Sequence, residues 1–123
     1  VTEETTHTRK FRKELMTGLS ALVLLLVLEQ AGHEMYGYEI AKAMTLEGGG
    51  ESEPLFKQGA IYPVLRSLAA SGLLDSRVEP SEVGPPRRYY RITDEGRRAL
   101  AEWLTVWRDM RRFVDGAVTP RKA

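Results

Sequence analysis

From Leu19 to Leu28 the chain runs through ten residues with a single hydroxyl, Ser20, and beyond Ala21 a helix over them is apolar on every side. Such a helix needs cover on more than one face. Spanning a bilayer takes about 20 apolar residues. Glu29, Gln30 and Gly32 follow without the small-residue pattern of a signal cleavage site. The run therefore reads as the buried helix of a soluble, cytoplasmic protein with no membrane contact. Upstream, Phe11, Leu15, Leu19, Leu22 and Leu26 extend one apolar side back to about Arg9, while Arg9, Lys10, Arg12 and Lys13 surround the first turns. One side of this helix can face its own domain and the other a second subunit.

A chain of 123 residues makes one domain with one core, and a dimer interface would add much to its buried surface. The formal charge is only +1, so a nucleic-acid partner must be argued from where the charges sit. With no cysteine, disulfide scaffolds, thiol chemistry and cysteine–zinc sites are excluded. His7 falls in a polar tail and His33 in a turn, neither with a ligand neighbour, so no metal or cofactor is expected. Gly48-Gly49-Gly50 lacks a following Gly-Lys-Ser/Thr and sits among Glu47, Glu51 and Glu53, which would repel phosphate. It reads as a surface loop over 46–54. No nucleophile elbow, metal cluster or paired carboxylates suggest an enzyme.

After the break at Ala31 to Glu34, a second short helix is expected from Tyr36, with Ile40 and Met44 at four-residue spacing. A third runs from Gln58, where Ile61, Val64, Leu65 and Leu68 form a buried stripe and Gly72 supplies the stop. Its other face is expected to carry Gln58, Tyr62, Arg66 and Ser67, side chains able to reach phosphates or base edges. Two alternating runs, Leu74 to Glu79 and Arg87 to Ile92, flank a Pro- and Gly-rich turn and predict a hairpin. From Val83 to Thr93 there are three arginines, two tyrosines and no acid. Thr93 is an expected N-cap, with Asp94 and Glu95 in the first turn of a last helix. Leu100, Trp103, Trp107, Met110 and Val114 then step by three and four, a heptad seam too short to stand alone.

The order αααββα is that of a winged helix-turn-helix, mainly α with a small β-hairpin, whose third helix enters the major groove and whose hairpin touches flanking backbone. The expected division is a disordered tail over 1–8, a winged helix-turn-helix DNA-binding domain over 9–93, a C-terminal dimerisation helix over 94–116 and a tail over 117–123. Tyr36-Gly37-Tyr38-Glu39-Ile40, Gly59-Ala60-Ile61-Tyr62-Pro63-Val64-Leu65, Gly72-Leu73-Leu74 and Gly84-Pro85-Pro86-Arg87-Arg88-Tyr89-Tyr90-Arg91-Ile92-Thr93 with Gly96 follow in sequence. In these motifs the chain resembles the PadR family of bacterial transcriptional regulators, in its short form with a single C-terminal helix.

The resemblance implies a homodimeric repressor of a palindromic double-stranded operator, released by a small-molecule effector. It maps DNA contacts onto Gln58, Gly59, Ala60, Tyr62, Arg66, Arg87 and Arg88, and Lys57 is expected to meet phosphate with its charge. Ala60 stands where many members have threonine, and Lys57 where a serine or asparagine cap is common. Dimer contacts are expected from Phe11, Leu15, Leu19, Leu100, Trp103, Trp107, Met110 and Val114. Trp107 is similar to a tryptophan that lines a ligand pore in drug-sensing members, so Trp103, Trp107 and Met110 are candidates for a planar aromatic effector. The alternatives are a protein-interaction module without DNA binding, or an activator on the same fold.

Overall fold

A computed structural model of the chain describes residues 4–48 and 56–119. The first helix, α1 (Thr6–Ala31), begins three residues before the expected Arg9, because the Thr5 hydroxyl accepts the Thr8 N–H at 3.1 Å and caps it. Residues 6–8, expected in the tail, are therefore helical. The helix stops at Gly32, whose φ of 73° lets its N–H reach back to the Leu28 carbonyl at 3.2 Å.

The break after α1 contains a strand that periodicity does not reveal. Strand β1 (Met35–Tyr36) takes Tyr36 out of the second helix, and α2 (Gly37–Gly48) starts one residue later than expected. Glu39 accepts the Tyr36 N–H at 3.1 Å and fixes that junction. Ile40, Ala41 and Met44 are buried on the inner side of α2. The expected loop over 46–54 is helical as far as Gly48, and its remainder lies outside the described residues.

Helix α3 (Gln58–Ala70) buries Ile61, Leu65 and Leu68, three of the four positions in the predicted stripe, and leaves Val64 half-buried. It closes as a Schellman motif: Gly72, at φ 81°, donates to Ala69, and Leu73 donates to Leu68. The turn delivers the chain into β2 (Leu74–Glu79), which pairs antiparallel with β3 (Arg87–Ile92) from Leu74↔Ile92 out to Glu79↔Arg87. The other edge of β3 takes β1, so the expected hairpin is part of a three-stranded sheet in the order β1-β3-β2.

The last helix, α4 (Asp94–Val118), is capped by Thr93 as expected and runs two residues beyond the predicted 116. The Thr93 hydroxyl accepts the Gly96 N–H at 2.9 Å and donates to the Gly72 carbonyl at 2.8 Å, tying the start of α4 to the end of α3. The tie is tight. A Cβ on Gly96 would stand 2.2 Å from the Leu73 carbonyl oxygen.

By length and composition α1 could cross a membrane. Here it is the axis of the core. Leu24, Leu25 and Leu28 are fully buried, and the helix packs against α2, α3, β3 and α4. Ile40, Met44, Ile61, Leu65, Leu74, Tyr90, Ile92 and Leu100 complete one contiguous cluster around it.

Candidate nucleic-acid interface

With Ile61, Leu65 and Leu68 facing inward, the outward strip of α3 consists of Gly59, Ala60, Pro63, Arg66, Ser67 and Ala70. The strip is small and carries no acid. Any flat surface brought against it could approach the backbone closely and would meet Arg66 as its one long side chain. Lys57 and Gln58 sit exposed at the helix start. The Lys57 side chain makes no capping hydrogen bond, so the positive end of the helix dipole is left to an outside acceptor. Pro63 has no N–H to give the Gly59 carbonyl one turn back, which leaves a second unpaired backbone group on the same side.

Tyr62 is placed differently from expectation. It was expected on the exposed face, but helical spacing turns it toward the Leu65 side, and it is half-buried. A Cβ on Gly37 would lie 3.6 Å from Tyr62 Cε1 and 3.6 Å from Tyr90, so the glycine at the start of α2 is the floor on which Tyr62 rests.

The arginines of the hairpin also separate. Adjacent strand residues point to opposite faces. Arg88 shares the helix-facing side of β3 with buried Tyr90 and Ile92, donates to Ser76 at 3.1 Å, and its carbonyl would lie 3.8 Å from a Cβ on Gly37. Arg87, Tyr89 and Arg91 line the outer side, with the Arg87 guanidinium 5.1 Å from the centre of the Tyr36 ring. Acids far away in sequence return to this outer side: Asp75 pairs with Arg91 at 3.2 Å, and Glu34 and Glu79 pair with Arg77. Of the three arginines in the acid-free run from Val83 to Thr93, Arg91 is thus balanced by a cross-strand acid, while Arg87 and Arg88 are not. Among the described residues of α3, its start and the wing, Lys57, Arg66, Arg87 and Arg88 take part in no ion pair.

The second group of predicted residues gathers between α1 and α4. Leu15, Gly18, Leu19, Trp103, Trp107 and Met110 line an open apolar cavity of about 380 Å³. Leu100 does not belong to it. That residue is 6% exposed and is consumed in the subunit's own core, so the free part of the seam begins at Trp103. Phe11 and Val114 extend the apolar surface at 64% and 48% exposure, and Phe113, at 73%, is an exposed aromatic that the seam spacing passes over. Its position, three residues after Met110, broadens the face rather than continuing the seam.

Among the described residues no cluster of His, Asp and Glu could hold a metal ion. A helix pair presenting one small-faced, acid-free helix beside a β-wing defines a winged helix-turn-helix protein. Residues 24–102 match the family described as Transcriptional regulator PadR-like. The crystal structure of a PadR family transcriptional regulator from Eggerthella lenta is 31% identical, with a TM-score of 0.73, covering 93% of this chain and 94% of that one. A PadR-like transcriptional regulator from Bacillus cereus is 27% identical, with a TM-score of 0.69 over 88% of this chain and 99% of that one. Transcriptional regulator Rv3488 of Mycobacterium tuberculosis is 32% identical over 97 residues, 79% of this chain and 85% of its own. The chain belongs to the PadR-like family of transcriptional regulators, a family of regulators and not of enzymes.

Proposed function

We propose that this chain is a homodimeric, sequence-specific DNA-binding repressor acting in the cytoplasm, whose release is controlled at the groove between α1 and α4. The observation that carries the reading is the outward strip of α3, small-faced, free of acids and headed by an uncapped N-terminus. In this reading α3 lies in the major groove of a palindromic half-site. Gly59 and Ala60 admit the backbone, Lys57 and the first N–H groups hold phosphate, and Arg66 and Gln58 read base edges. Tyr62 serves by holding α3 against α2, and Arg87 and Arg88 add phosphate contacts without sequence preference.

The dimer reading is supported by the apolar face of α4. Trp103, Val106, Trp107, Met110, Phe113 and Val114 span more of the helix than a two-stranded seam needs, enough for contacts with two partner helices. The cavity that Trp103, Val106, Trp107 and Met110 border is of ligand size and mostly apolar, which suits a planar aromatic effector stacked on Trp107.

A salt titration of duplex binding tests the DNA reading. Arg66→Ala is expected to reduce discrimination between an enriched operator and random duplex by about tenfold or more, from a loss of about 1–3 kcal/mol at one base contact. Arg88→Ala is expected to weaken all duplexes alike and to lower the salt slope by about one. A wild-type affinity that does not change with salt contradicts the reading.

A further inference from the structure

The outer half of the wing hangs beyond the core. In the β2–β3 ladder Leu74, Tyr90 and Ile92 are buried, while Val78 opposite Arg88 and Glu79 opposite Arg87 are exposed. Only two rungs, Met35↔Tyr90 and Tyr36↔Tyr89, join this ladder to the segment that leads into α2. A twisted ladder held by two rungs needs a lateral tie to have a defined pitch.

Arg77 supplies one. It sits on the edge strand β2 opposite Tyr89, and its guanidinium passes 4.7 Å from the centre of that ring. Beyond the ring it meets Glu34, on the far side of the sheet and 43 residues away in sequence. The Arg77 Nε lies 2.9 and 3.1 Å from the two carboxylate oxygens, and Nη2 closes the fork. The side chain therefore crosses over β3, and the pair joins β2 to the residue that precedes β1, with an aromatic ring beneath the guanidinium. Planar, bidentate pairing of this kind fixes direction as well as distance. The next rung outward on the ladder is Val78↔Arg88, with Arg88 on the opposite, helix-facing side.

We infer that Arg77 and Glu34 are a positioning pair, a brace across Tyr89 that sets the pitch of the wing and so holds Arg88 on the helix-facing side of the sheet. The inference rests on the proposed DNA role of Arg88, and the sign of one substitution separates it from simple electrostatics. Glu34 is an acid near the proposed phosphate surface. If charge alone mattered, Glu34→Gln would tighten DNA binding, because one acid near the phosphate surface is removed and Arg77 keeps only Glu79 as a partner. If the pair positions the wing, the same substitution weakens binding.

Two measurements on the full chain decide it. In the free protein, hydrogen exchange of the β2 and β3 amides from Arg77 to Tyr89 is expected to speed up in Glu34→Gln, with the amides of α3 unchanged. On a random-sequence duplex, Glu34→Gln is expected to bind about threefold to tenfold more weakly, with a salt slope lower by about one, as for one lost phosphate contact. Glu34→Gln combined with Arg88→Ala should be no worse than Arg88→Ala alone, since both act at one contact. Unchanged wing exchange, tighter binding by Glu34→Gln, or additive losses in the double variant would each overturn the brace. Faster wing exchange with no effect of Arg88→Ala on DNA would leave the brace standing as a structural tie and overturn its role in DNA binding, together with the wing contact proposed above.

Discussion

Gly96 shows how one atom can fix an element. A Cβ there would stand 2.2 Å from a backbone oxygen and 2.8 Å from Ile92 Cγ1, and neither neighbour is the free end of a flexible side chain. Gly96→Ala is expected to destabilise the fold by about 1–3 kcal/mol through overpacking, read as a lower midpoint in urea at unchanged slope. A second prediction concerns acid. The Arg77 guanidinium holds Glu34 below the usual carboxylate range, with smaller contributions from Arg91 and His33, and Arg12 does the same for Glu4. Carboxylates with lowered folded values contribute stability that is complete above their unfolded values and is lost as pH falls through the folded ones. Thermal stability should therefore drop as pH falls below about 4, and Glu34→Gln should flatten that limb. An identical acid limb in the variant contradicts the assignment. At this scale the sequence was partly legible. Gly72 announces the end of α3, because a stop needs a positive φ. Nothing in the spacing announces that Arg77 will find Glu34, since their meeting depends on strand order.

At the scale of elements, periodicity carries furthest where one face is buried by many residues. The inner stripe of α3, the Thr93 cap and both hairpin strands lie where the pattern puts them. It fails for β1, because two residues have no period to read. It also misplaces Tyr62, a large polar-tipped side chain that lies half-buried near Gly37 at the start of α2. The seam of α4 divides for a related reason. A three-four spacing shows that a helix has an apolar side without showing which neighbour takes it, and here α1 of the same subunit takes Leu100. What remains exposed, from Trp103 onward, is the part offered to a partner in the proposed dimer. Met110→Lys is expected to convert the dimer to monomer, seen by sedimentation, while the far-UV spectrum is retained, because Met110 is 55% exposed in the subunit. A dimer that survives the lysine places the interface elsewhere.

In the whole molecule, the cations left without an ion pair at the wing and recognition helix are few: Lys57, Arg66, Arg87 and Arg88 among the described residues of α3, its start and the wing. A formal charge of +1 gives no general attraction for nucleic acid. Binding must come from geometry, with a small-faced helix close to the groove and a wing held at a fixed pitch. One subunit offers one such helix and one such wing. In the proposed dimer, affinity and specificity depend on the twofold partner that presents the second set, and the α1–α4 groove, far along the chain from α3, is the proposed place for a ligand to alter the spacing of the two. The most direct test is selection of bound duplexes from a random pool by the intact protein. The account predicts enrichment of an inverted repeat whose half-sites are centred about 10 base pairs, or a multiple of that, apart, and loss of the enrichment in Arg66→Ala. A pool that stays random, or that converges on a single unrepeated site, would contradict it.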